Sequence, residues 1–176
     1  MAKDQIMPRM GFDTTLGRDW FRNTPYLDFA WGMDDRSYFE GALSYVDGLR
    51  KQKTPWMLTL LTVGTHQPYS APADYLERHG SARQAAIAYL DDAIGDFLDG
   101  LQQRGVLDDT LVVVTSDESH GIENVRLASA WGFNLMLAPE QAQLPSLKHG
   151  VYGHIDLTAS IPVSYTHLTL PTTPYV

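Results

Sequence analysis

Two stretches of this chain repeat apolar residues every three or four positions, and three shorter ones run apolar without a break. The first periodic stretch puts Phe39, Leu43, Val46 and Leu49 on one helical face. Asp34 or Asp35 can cap its start, Gly48 and Arg50 to Lys53 suit its end, and Pro55 stops it. The second begins at Ser81 and aligns Ala86, Leu90, Ala93, Ile94, Phe97, Leu98 and Leu101, with Gly105 closing it. Asp91, Asp92, Asp96 and Asp99 take the opposite face, where solvation is enough to account for them. The unbroken runs Trp56–Val63, Thr110–Val114 and Phe133–Leu137 read as strands. Tyr152–Ile161 reads as a turn entering a helix, and residues 1–33, 64–72, 122–132 and 139–150 read as irregular. The order helix, strand, helix, strand, strand, helix predicts an α/β fold: a mostly parallel sheet with crossover helices.

Composition narrows the class. With 176 residues, 44% hydrophobic and 19% charged, the chain is core-forming and makes one domain or part of one. A net charge of −8 argues against a nucleic-acid partner. There are no cysteines, which excludes a disulfide scaffold and thiolate zinc sites. No apolar run reaches the ~18 residues a membrane span needs. The ending is a separate matter. Val163–Thr172 resembles one reading-frame translation of a transposon-end adapter, and a short index followed by adapter bases accounts for Thr173 to Val176. Residues 163–176 are therefore expected to be a non-native tail, which removes His167 from consideration. Residues 1–162 are expected to be a piece of a longer coding region.

The densest chemistry is Thr115-Ser-Asp-Glu-Ser-His-Gly121, which follows the Thr110–Val114 run directly. In parallel α/β sheets ligands sit at the carboxyl ends of strands. Asp117, Glu118 and His120 are oxygen and imidazole donors suited to Mn, Mg or Zn. The same residue types also make ordinary caps and turns. His66 holds the equivalent place after Trp56–Val63, and Trp31-Gly32 precedes the first helix.

These segments, in this order, resemble the alkaline phosphatase/sulfatase superfamily, and most closely its lipoteichoic-acid-synthase-like, membrane-anchored members. Trp31-Gly-Met-Asp-Asp35 with Phe39 is similar to the family's Trp-Gly-x-x-Asp start of a helix. Leu60–Tyr69, ending His66-Gln-Pro-Tyr, is similar to its strand followed by a His-x-Pro-aromatic loop. Tyr89–Phe97 and Gly105–Val114 resemble the helix and strand before its metal motif, and His154–Ile161 its late Asp-x-x-Pro-Thr segment. The resemblance implies an incomplete alkaline-phosphatase-like domain, one or two divalent ions, and attack on a phosphate or sulfate ester by a Thr, Ser or formylglycine nucleophile. It implies Asp117 as a metal ligand. The family follows this Asp with His, whereas here Glu118 intervenes and His120 comes later, so either Glu118 or His120 completes the set. A second carboxylate favours Mn or Mg over Zn, with Ca also compatible. His66 is implied as the catalytic group, and Trp31, His66 and His154 as substrate contacts. The partner implied is a small-molecule or lipid-linked ester. The location implied is the outer side of the cell membrane, reached through an amino-terminal region not included here. No Ser or Thr before Trp31 follows an apolar strand, Thr14 and Thr15 included, so the chain alone is expected to be inactive. The other class of function open to it is an inactive relative that binds a glycan or lipid head group.

Overall fold

The computed structural model describes residues 3–21, 25–117, 119, 124–140, 144, 146–147, 149–150, 152–157 and 161. They form two compact units, divided between Leu101 and Gln102. The expected tail and His167 lie outside the described residues, as do Glu118 and His120.

The first unit opens with a single helical turn, α1 (Lys3–Ile6), and two 3₁₀ turns at Met7–Met10 and Arg18–Phe21. A minimal antiparallel hairpin follows, β1 (Asp28–Phe29) and β2 (Gly32–Met33), with Ala30 and Trp31 at its turn. Next comes α2 (Asp35–Leu49), capped by Asp34, whose Oδ1 accepts from the Ser37 amide at 3.0 Å. It buries Phe39, Ala42 and Val46 and leaves Leu43 and Leu49 half-buried.

α3 (Ala73–Arg78) is a short helix the apolar periodicity does not announce. Its signals are local: Pro72 before it, Asp74 in its first turn and Arg78 in its last. α4 (Ala82–Gln103) buries Ala85, Ala86, Tyr89, Ala93, Phe97, Gly100 and Leu101. The face is turned from the expected one. Leu90, Ile94 and Leu98 are half-buried, and Tyr89 takes a central place. Its ring packs edge-on to Tyr75 of α3 at 5.0 Å, the two cluster with Ala85, and Phe29 packs edge-on to Tyr89. Phe39 of α2 stacks on Phe97 of α4 at 4.8 Å. Gly100 lets the two helices close, because a Cβ there would overlap the Leu43 side chain. All four aspartates of α4 are exposed, but solvation is not their whole account. Asp96 pairs with Arg36 at 3.1 Å and Asp92 accepts from Tyr75 Oη at 2.5 Å.

Residues 56–63 correct the expectation of a strand, since they join no ladder among the described residues. They keep a strand's alternation, with Trp56, Leu58 and Leu60 half-buried and Met57, Thr59 and Leu61 exposed. The Leu61 amide is satisfied instead by Tyr38 Oη of α2, at 3.0 Å.

In the second unit, Gly105 adopts φ +64°, which ends α4 as expected. β3 (Val112–Thr115) then pairs with β4 (Asn134–Leu137) in antiparallel register, Val112 opposite Leu137 and Thr115 opposite Asn134. β3 is half-buried, not enclosed on both faces. Both ladders among the described residues are antiparallel, so the parallel pairing expected from the element order is not among them. Residues 154–157 form the expected helical turn.

Candidate functional site

The first unit gathers Trp31 and His66 at one point. Trp31 sits on the hairpin turn and is 57% exposed, so it is no core aromatic. Its ring meets the His66 ring edge to face at 4.5 Å. The two side chains share one acceptor, the Gln67 carbonyl. Trp31 Nε1–H donates to it at 2.6 Å and His66 Nδ1 lies 2.7 Å from it. A carbonyl can only accept, so Nδ1 carries the proton and the tautomer is fixed. Nε2 is then the free position of an exposed imidazole. It can accept a proton or, once protonated, donate to an anionic oxygen.

The surrounding backbone is tied in place. The His66 amide donates to Val63 O at 3.1 Å and the Ser70 amide to Gly64 O at 3.3 Å, with a cis Gln67–Pro68 bond between them. At the start of α2 stand two adjacent buried carboxyls with opposite character, and the second lies against Gly64 of this loop. Asp34 is fully engaged: Tyr89 Oη–H donates to Oδ1 at 2.6 Å, and the Leu27 amide donates to Oδ2 at 2.8 Å. Burial alone would raise its pKa, but the bonds from Tyr89, Ser37 and Leu27 together bring it below the usual carboxylate value. The same burial and bond push the Tyr89 hydroxyl up. Asp35 is 1% exposed, and its Oδ2 has no hydrogen-bond partner. Burial pushes it up to about 6, against the opposing pull of the Gly64 and Val63 amides, and Asp34 beside it adds to the rise. The periodicity of α2 gave no sign of Asp35's place, since it reads as a second cap candidate.

The second unit presents Asp117 in the bend just after β3, exposed to solvent. The serines on either side hold that bend. Ser116 Oγ accepts from the Phe133 amide at 3.1 Å, and the Ser116 amide donates to Phe133 O at 3.3 Å. Gly132 allows this approach, because a Cβ there would press on Ser116. Ser119 Oγ donates to Ala128 O at 2.7 Å and its amide to Ser129 O at 3.1 Å. His154 arrives at the same place, its Nε2 donating to the Ser116 carbonyl at 2.7 Å, one residue from Asp117. The expected set is thus found in two groups: Trp31 with His66 in one unit, and Asp117 with His154 in the other.

Of the expected metal set, only Asp117 lies among the described residues. No group of three or more Asp, Glu or His side chains among the described residues is arranged to hold an ion. Those residues alone do not make a metal centre.

The fold is that of the alkaline phosphatase superfamily. A structure of a protein in that superfamily from Vibrio parahaemolyticus matches with a TM-score of 0.65 at 24% identity, covering 74% of this chain and 33% of that one. The lipoteichoic acid synthase LtaP from Listeria monocytogenes matches with a TM-score of 0.63 at 19% identity, covering 78% of this chain and 40% of that one. The chain belongs to the sulfatase family, which matches residues 1–162, and within it is lipoteichoic-acid-synthase-like. It is 24% identical to the lipoteichoic acid synthase of Staphylococcus saprophyticus and 22% identical to lipoteichoic acid synthase 1 of Bacillus subtilis. The alignments cover 69% of this chain but only 20% of each relative, so the chain spans about a fifth of their length. Members of the superfamily are generally metal-dependent.

Proposed function

We propose that this chain is the carboxyl-terminal part of a catalytic domain that transfers or hydrolyses a phosphate or sulfate ester, a phosphoglycerol-type head group being one such substrate. The observation that carries the reading is the shared Gln67 carbonyl, which fixes the His66 tautomer beside an exposed indole. An ester's charged head would meet His66 Nε2, and its apolar or polyol part the Trp31 face. There His66 holds or delivers a proton at Nε2 as the leaving group departs. His154 is proposed as a further substrate contact. Asp117, with Glu118 or His120, is proposed to hold a divalent ion, Mn or Mg before Zn. Such an ion would supply charge stabilisation to the ester oxygens. The support for that assignment is the bend after β3, which the flanking serines brace around Asp117.

The relatives' name, lipoteichoic acid synthase, supports a lipid-linked ester as substrate, and with it a location at the outer face of the cell membrane. No helix among the described residues is long and apolar enough to cross a membrane. Residues 163–176 lie beyond the family match and are proposed to take no part.

Two measurements test this. In the 176-residue chain, added Mn²⁺ should broaden the Ser116 and Ser119 amide resonances, and Asp117→Ala should abolish the effect. In a longer protein from the same gene, His66→Ala should lower metal-dependent turnover of an aryl phosphate or aryl sulfate ester by roughly 10²–10⁴-fold. Unchanged turnover in that variant would refute the role of His66. Binding of glycerol phosphate with no turnover even in the unsubstituted longer protein would favour a head-group-binding relative instead.

A further inference from the structure

The one buried side-chain oxygen or nitrogen without a hydrogen bond among the described residues is Oδ2 of Asp35, and it lies against the loop that carries His66. A buried polar atom left unpaired is costly, so its persistence at this spot calls for a reason. Gly64 supplies the seat. A Cβ on Gly64 would overlap the Asp35 carboxyl, so only glycine lets the loop approach so closely. The Gly64 and Val63 amides also act on the carboxyl, opposing the effect of its burial. Gly64 O in turn holds the Ser70 amide and Val63 O the His66 amide, so the seat is one bond removed from His66. Trp31 reaches the same loop from the other side through Gln67 O, and the Val63 side chain lies beneath Gly32 of the hairpin.

We propose that Asp35 is a positioning residue, whose carboxyl, wedged under Gly64, sets how the His66 loop sits against Trp31. Asp35 touches neither ring and acts through the loop backbone. The role rests on the function assigned above to Trp31 and His66, though its test need not. The seat also makes the arrangement responsive to proton uptake. The carboxyl is pushed up to about 6, so the charge under the loop changes near that pH. The ionisable groups facing it are Asp34 on the preceding residue and Tyr38 one turn along α2, with His66 two residues beyond Gly64.

The test is NMR of the ¹⁵N-labelled 176-residue chain, following the Trp31 indole N–H and the Gly64 amide across pH. His66→Gln is used as background so that the imidazole contributes nothing to the signal. The expected result is a common step in both resonances with a midpoint near 6, lost when Asp35→Asn is added. A step that survives Asp35→Asn, or no step at all, overturns the proposal. A second variant guards against misfolding of Asp35→Asn. Gly64→Ala should displace the Trp31 indole and His66 ring resonances, while Gly48→Ala, with open space around it, leaves them in place. Unmoved Trp31 and His66 signals in Gly64→Ala overturn the proposal independently. Glycerol phosphate separates the two ideas. If the Asp35 step is present but this ligand leaves the Trp31 and His66 rings of the unsubstituted chain unperturbed, the ester reading fails and the positioning role stands.

Discussion

Adjacent residues Asp34 and Asp35 are both carboxylic acids, both buried, and contribute to stability in opposite directions with pH. Asp34's pKa is lowered in the folded state, so its contribution is present above the unfolded carboxylate value and fades as pH falls through the folded one. Asp35's is raised to about 6, so its protonated form is accommodated at low pH and the folded state loses stability as pH rises through that value. Removing the ionisable group should therefore help above pH 6. Asp35→Asn is expected to raise stability at pH 8 by up to about 3 kcal/mol and to flatten the slope between roughly pH 4 and 6, read by urea unfolding at several pH values. Asp34→Ala is expected to cost about 2 kcal/mol or more, since it leaves the Tyr89 hydroxyl and two amides without their acceptor. A circular-dichroism melt at neutral pH would show the loss directly.

At the scale of the element, the two glycines of α4 separate helix propensity from packing. Gly95 is exposed, and a methyl group added there would meet nothing within 4 Å, so Gly95→Ala should stabilise by about 0.5–1 kcal/mol. Gly100 meets Leu43, so Gly100→Ala should cost about 1–3 kcal/mol by overpacking. Thermal melts of the two variants should move in opposite directions. Much of this level was legible in the sequence. The Asp34 cap, the Phe39 and Val46 face, the Gly105 stop and the strands near Val112 and Leu135 all follow from local chemistry and period. What was not legible depended on partners distant in sequence. Residues 56–63 read as a strand because their composition is right, yet pairing is decided by a neighbour that composition does not name. The rotated face of α4 has the same origin, because Tyr89 is drawn inward by Asp34, 55 residues away. The candidate site divides likewise. Trp31, His66 and Asp117 announced themselves by residue type and place, whereas Asp35, Gly64 and the bracing serines have ordinary side chains whose role is set by what lies against them.

At the scale of the whole molecule, a good deal of apolar surface is open. In the second unit Val125, Leu127, Trp131, Phe133 and Leu135 are all exposed, the last two flanking or within β4. Clustered exposure of this kind favours association. Light scattering of the purified chain should therefore show self-association rising with concentration, and Trp131→Ser with Phe133→Ser should reduce it. The first unit carries a different consequence, one of timing. Its closing contacts, Tyr89 to Asp34 and Asp96 to Arg36, span 55 and 60 residues. On the ribosome α2 therefore emerges long before the groups that complete its amino-terminal end. Until α4 follows, the Asp34 carboxylate has its neighbouring amides but no hydroxyl, and Phe39 and Leu43 of α2 lack Phe97 and Gly100 to pack on, although Phe21 already lies against Gly41. The nascent helix must wait, covered on one side only, for the second half of its own unit to be synthesised.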